Sequence, residues 1–181
     1  SRYFLSNGYE AFGIDHYAKK SSSIIQKAKE KKLQRNFQGY SEDSAEILIG
    51  VGASSISYLP KGYAQNIAQV DGYISSLKEN KLPILRGHEF RAKDRIYGTI
   101  IKELMCYLSV DLNQVADKFE KNINLFLPNV KKLQPFIDAG CVDFENHILS
   151  IKPEARPLVR NICSVFDQYF EPEKNKYSFG I

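Results

Sequence analysis

Three short segments carry side chains suited to binding or proton transfer, at spacings that neither a helical nor a strand period explains. They are Gly13-Ile-Asp-His-Tyr-Ala18, Arg35-Asn-Phe-Gln-Gly-Tyr40 and Gly50-Val-Gly-Ala-Ser-Ser-Ile-Ser57, the last closely followed by Tyr63-Ala-Gln-Asn66. Asp15 and His16 are adjacent and form either an acid/base pair or a histidine held in place at a domain rim. Gly50 and Gly52 let backbone turn or approach a ligand closely, and Ser54, Ser55 and Ser57 add hydroxyls. The third glycine of a dinucleotide fingerprint is missing, so tight packing of a strand end is the better explanation of these small residues.

The flanking sequence supplies the elements that must position these groups. Tyr9 to Ile14 reads as a short strand, Ser21 to Lys32 as a helix with serine caps, and Glu46 to Gly52 as a strand apolar at nearly every position. A strand apolar throughout predicts burial on both faces, as in a parallel sheet, and places the loops beyond the strand ends on a ligand face. Residues 1–66 are therefore expected to be the last βα units of a barrel-like α/β domain. Residues 67–181 read as a mainly helical domain with a β-hairpin wing.

In that second part, Ile67 to Asn80 and Arg91 to Leu108 are helix candidates. The latter aligns Ile96, Ile100, Ile101, Leu104, Met105 and Leu108 on one stripe that reads as core. Asp111 and Gln114 have capping-box spacing, and a helix over Leu127 to Ala139 should stop at Gly140. Val142 and Phe144 alternate on one hairpin arm, Leu149 and Ile151 on the other, with Glu145, Asn146 and His147 turning between them. A closing helix from Glu154 to Phe170 sets Leu158, Ile162, Phe166 and Tyr169 on one stripe. Helices, hairpin and closing helix together make a winged-helix-like pattern.

The chain has 181 residues, 43% apolar and 25% charged, which suits one or two small cores. It lacks a run of apolar residues long enough to span a membrane, and a cytoplasmic protein is expected. Its three cysteines have no short paired spacing, so no metal site is expected and each reads as a small buried hydrophobe. The net charge of +4 is concentrated in residues 19–35, where Lys19, Lys20, Lys27, Lys29, Lys31, Lys32 and Arg35 meet only Glu30. Such a run is usually the solvated face of a helix. Residues 111–152 hold six acids and five lysines, against the basic stripe of a DNA reader.

Taken in order, Phe12-Gly-Ile-Asp-His-Tyr-Ala18, Arg35-Asn-Phe-Gln-Gly-Tyr40, Gly52-Ala-Ser-Ser-Ile-Ser57, Tyr63-Ala-Gln-Asn66 and Arg160-Asn-Ile-Cys163 with Phe166, Asp167 and Tyr169 resemble the C-terminal half of the oxygen-independent coproporphyrinogen III oxidases. These are radical S-adenosylmethionine enzymes of haem synthesis. The resemblance implies that the parent protein decarboxylates two propionates of coproporphyrinogen III to vinyls. It also implies S-adenosylmethionine and a [4Fe-4S] cluster, whose C-x-x-x-C-x-x-C ligands this chain does not contain. By resemblance, Phe37, Gln38 and Ile56 line a second S-adenosylmethionine site. Asp15 and His16 remain the catalytic candidates from the residues alone. Lys152-Pro-Glu-Ala-Arg156 departs from the family, which usually shows a threonine and a glycine there.

The chain begins with Ser1 rather than methionine and is expected to be a C-terminal portion that is inactive alone. Its expected partners are coproporphyrinogen III and the N-terminal part of the same polypeptide, with no nucleic acid, no membrane and a monomeric state. Two other readings stay open: a haem-trafficking relative that keeps the fold without the decarboxylation, and a winged-helix nucleic-acid-binding module.

Overall fold

The computed structural model describes residues Arg2–Phe170, so the last eleven residues of the expected helical domain lie outside the described residues. The chain divides into two units: residues 1–43 with 94–181, and residues 44–93.

The first unit opens with a five-residue helix, α1 (Arg2–Ser6), in a segment that shows no period in the sequence. A hairpin follows, β1 (Tyr9–Phe12) and β2 (His16–Lys19), then α2 (Ser23–Lys29) and a second hairpin, β3 (Gln34–Asn36) and β4 (Gly39–Ser41). The second unit holds β5 (Ile56–Leu59), β6 (Gly62–Asn66), α3 (Val70–Lys78) and β7 (Ile84–Glu89).

The chain then returns to the first unit with α4 (Ala92–Tyr107), β8 (Ser109–Asp111), α5 (Leu112–Lys118), a 3-10 turn (Ile123–Leu125), α6 (Leu127–Lys132) and α7 (Gln134–Asp138). The arms β9 (Val142–Glu145) and β10 (Ile148–Ile151), a 3-10 segment (Pro153–Leu158) and α8 (Val159–Ser164) complete it.

The stripe on α4 is the spine of the main core. Ile96, Ile100 and Leu104 are buried, with Ile101, Met105 and Leu108 packed beside them. Phe126, Leu133, Leu149, Ile162 and Phe166 close around that stripe with no exposed surface. Each such side chain contributes roughly 1.5–3 kcal/mol by burial. Asp111 caps α5, its carboxylate accepting from the Asn113 and Gln114 amides. The turn between β9 and β10 is Asn146-His147, both with positive φ, as a two-residue hairpin requires. β10 is the central strand of the sheet β8-β10-β9.

Three expectations need correction. First, every pairing among the described strands is antiparallel, and no parallel βαβ unit occurs there. Residues 46–52 form no strand. Only Leu48 bridges, to Tyr58, while Ile47, Ile49 and Val51 are exposed. Side chains rather than a neighbouring strand bond the backbone at Gly50 and Gly52. Second, residue 66 ends β6 in the middle of the β5-β6-β7 sheet, and the second unit runs on to residue 93.

Third, prolines shorten two expected helices. Pro135 has no N–H and starts α7 as a separate helix after α6. Pro153 and Pro157 hold the start of the closing segment in 3-10 form, so α8 spans only Val159–Ser164.

Candidate functional site

In the first unit, the Gly13-to-His16 loop and the β3–β4 hairpin are organised by one side chain, Tyr40. Its hydroxyl accepts from the Ile14 amide at 2.9 Å and donates to the Met105 carbonyl in α4 at 2.8 Å. The ring has the edge contacts of Phe12 (5.4 Å between centroids) and His16 (4.8 Å), and the Arg35 guanidinium lies 4.7 Å from its centroid. Burial pushes the Tyr40 phenol above its ordinary value, so it stays a proton donor.

Gly13 has φ +55°, and a Cβ there would overlap the Tyr40 ring. That position therefore needs glycine on two counts. Asp15 and His16 meet directly, Nδ1 to Oδ1 at 2.7 Å, and both side chains are exposed within the unit. With Nδ1 protonated, His16 donates to Asp15 and leaves Nε2 as an acceptor.

Phe37 and Gln38 are the two residues of the β3–β4 turn. Register pairs Asn36 with Gly39, the Asn36 side chain accepts from the Gln38 amide at 2.8 Å, and Gly39 has φ +133°. The hairpin base is fixed to α4 at three points. Besides the Tyr40 bond, Tyr107 donates to the Leu33 carbonyl at 2.9 Å and Lys102 donates to the Gln34 side chain. At the tip, Phe37 is 56% exposed and Gln38 is exposed. A rigid base thus presents one aromatic face and one amide.

The Gly50-to-Ser57 segment belongs to the second unit, and Asn66 holds it together. Its amide donates to the carbonyls of Gly50 (3.1 Å) and Gly52 (2.9 Å) and is buried. Gly50 N–H donates to Ser57 Oγ at 2.9 Å, Gly52 N–H to Tyr73 Oη at 3.1 Å, and Ser55 Oγ to the Val51 carbonyl at 2.8 Å. Two of the three hydroxyls singled out in the sequence are thus used inside the loop. Ile56 follows on β5, half-buried and opposite Gln65.

The organising roles of Tyr40 and Asn66 are not visible in the sequence, where each only closes a motif. Their single usable signal is an aromatic or amide beside glycines that need partners.

Cys106 and Cys163 are buried, and burial pushes their thiols up to about 11 and about 12. No group of three His, Cys, Asp or Glu side chains among the described residues could hold a metal ion. No helix among the described residues is long and apolar enough to cross a membrane.

Residues 90–158 match the model of the HemN C-terminal domain. The chain is 34% identical over 174 residues to an oxygen-independent coproporphyrinogen III oxidase of Bradyrhizobium diazoefficiens, covering 96% of this chain and 39% of the relative. It is 38% identical over 177 residues to the anaerobic coproporphyrinogen III oxidase 1 of Cereibacter sphaeroides, covering 96% and 38%. Residues 90–158 thus match a HemN C-terminal domain, and the chain along nearly its whole length is similar to oxygen-independent coproporphyrinogen III oxidases. A solved structure agrees: the coproporphyrinogen III oxidase HemN of Escherichia coli, described as a radical SAM enzyme, superposes with a TM-score of 0.88 at 30% identity, over 93% of this chain and 39% of that one. The chain thus spans about two fifths of the length of the family members it matches.

Proposed function

We propose that this chain is the C-terminal portion of an oxygen-independent coproporphyrinogen III oxidase. The parent would be a cytoplasmic, monomeric oxidoreductase of haem synthesis, converting two propionates of coproporphyrinogen III to the vinyls of protoporphyrinogen IX. One observation carries the reading: alignment along 96% of the chain, at 34–39% identity, with proteins named for that oxidation.

The family implies S-adenosylmethionine and a [4Fe-4S] cluster. The described residues offer no cysteine cluster, so cluster ligation falls to another part of the polypeptide. The β3–β4 tip fits a nucleoside-bearing cofactor better. Phe37 offers an exposed ring against which an adenine can stack, and Gln38 offers both a donor and an acceptor. Ile56, on β5 of the second unit, is a half-buried apolar side chain of the kind that shields an adenosyl group from water. S-adenosylmethionine, when bound, supplies the hydrogen-abstraction chemistry of this family.

The chain's own residues bind, orient and exclude water. Tyr40 fixes the hairpin, so Phe37 and Gln38 hold one geometry. Asp15 and His16 form an exposed hydrogen-bonded pair that can hold or pass a proton at His16 Nε2. The exposed Ile47, Ile49 and Val51 suit cover by the remainder of the longer polypeptide.

The order α4, β8, α5, α6 and α7, β9, β10, with β10 central, supports a winged-helix-like reading of the C-terminal part. Its balance of six acids and five lysines over residues 111–152 favours a packing or lid role over nucleic-acid binding. Anaerobic assay of the full-length protein with coproporphyrinogen III and S-adenosylmethionine tests the proposal. Protoporphyrinogen IX is the expected product, and this chain alone yields none. Haem binding by the full-length protein without turnover would point instead to a haem-trafficking relative.

A further inference from the structure

A cleft of about 270 Å³ opens in the first unit; neither Phe37 nor Gln38 lines it, and no step proposed above uses it. Its lining includes the apolar Phe12, Ile25 and Cys106 and the charged Lys29, Lys31, Arg156 and Glu10. Glu10 is paired with Lys29 at 2.9 Å. Lys31 also lies within electrostatic reach of the half-buried Glu103, and Arg156 is the remaining cation of the lining.

Arg156 provides a second, independent observation. Its Nη1 is buried and meets no hydrogen-bond partner. A guanidinium nitrogen removed from water without an acceptor costs on the order of 1–3 kcal/mol, and more when charged. Such orphans mark places where an acceptor belongs. Lys31 stands at the end of α2 with φ +54°. That left-handed turn is uncommon for a residue with a side chain.

We propose that this cleft binds a small monocarboxylate, with the carboxylate on Arg156 and Lys31 and a short apolar chain against Phe12, Ile25 and Cys106. A carboxylate matches the planar fork of a guanidinium. A dianion such as phosphate gains nothing from the apolar lining and is repelled more strongly by Glu10. The volume lies just below the range of sites for drug-sized molecules and suits a group of a few carbons. The carboxylate has two possible sources, a free acid or an acidic side chain from the rest of the full-length polypeptide.

Butyrate, titrated by NMR against the isotope-labelled chain and in parallel against the full-length protein, tests the site. Saturable binding to the chain with a Kd of about 1–10 mM is expected, the strength that six heavy atoms allow. Arg156→Gln should weaken it at least tenfold. Lys31→Asn keeps a residue tolerant of the left-handed turn and should weaken it about two- to fivefold, a readout that survives if the Arg156 variant does not fold.

Binding to both proteins identifies a free acid as the ligand; binding to the chain but not to the full-length protein identifies a carboxylate supplied by the polypeptide itself. The proposal is overturned if butyrate does not bind the chain, if phosphate binds more tightly, or if neither substitution changes the affinity.

Discussion

Tyr40 has one hydroxyl and two partners, and its removal shows how much of the first unit depends on a single atom. Tyr40→Phe keeps the ring contacts with Phe12 and His16 but leaves the Ile14 amide and the Met105 carbonyl without their bonds. The expected loss is about 1–3 kcal/mol, measured as a shift of the urea midpoint at unchanged slope. Gly13→Ala should lose at least as much. It adds left-handed strain of roughly 1–3 kcal/mol to the overlap with the Tyr40 ring.

The buried thiols set a pH signature. Cys106 and Cys163 are raised from about 9 to about 11 and about 12. The folded state therefore holds protons that the unfolded state releases above about pH 9. The contribution of each thiol is fully present below that pH and is lost as pH rises through the folded value. The stability difference between the wild type and Cys163→Ala should accordingly shrink above pH 9, by up to about 1.4 kcal/mol per pH unit. Chemical denaturation at pH 8, 9 and 10 measures it, and a constant difference would refute it.

At the scale of elements, Asp111→Ala removes the acceptor for two amides of α5 and should cost about 0.5–2 kcal/mol, read from the thermal midpoint. Asp111 was legible from spacing, as were the α4 stripe, the Gly140 stop and the 142–151 hairpin, because each depends on neighbours within a few positions. The misread strand fails for the opposite reason. Apolar residues 46–52 resemble a doubly buried strand, yet Gly50 and Gly52 are bonded by the Ser57, Asn66 and Tyr73 side chains, contacts 7 to 21 positions away. Periodicity cannot register such contacts.

The expected closing helix, Glu154 to Phe170, runs through Pro157, and only Ile162 and Phe166 of its four stripe members are buried. Of the candidate site, the Asp15-His16 contact follows from adjacency, whereas Phe37 and Gln38 are singled out only by the family resemblance. The anchoring of their hairpin to α4 was not readable, because Leu33 to Tyr107 spans 74 positions and Tyr40 to Met105 spans 65. Asn66→Ala should release the 50–57 loop. Faster proteolysis confined to that loop, with the α4 core still protected from hydrogen exchange, is the expected result.

At the scale of the whole molecule, two units with unequal cores make up this chain. The first closes around α4, whereas no Ile, Leu, Val or Phe of residues 44–93 is buried. If Ile49 and Val51 meet the rest of a longer polypeptide, the double substitution Ile49→Asp, Val51→Asp should leave the isolated chain as stable as before. In the full-length protein it should lower the thermal midpoint by several degrees, as the loss of buried apolar area requires. Equal effects in both would argue against that cover.

The Phe37-Gln38 tip is proposed as a cofactor-contacting wall of a coproporphyrinogen III oxidase. The most direct measurement is anaerobic turnover of coproporphyrinogen III by full-length Gln38→Ala at varied S-adenosylmethionine, beside the wild type. Because Gln38 is exposed at a turn whose base is fixed elsewhere, the variant should keep its thermal midpoint. Turnover should fall at least tenfold, about 1.4 kcal/mol or more in activation free energy. A correctly folded variant with wild-type turnover at every cofactor concentration would contradict the assignment.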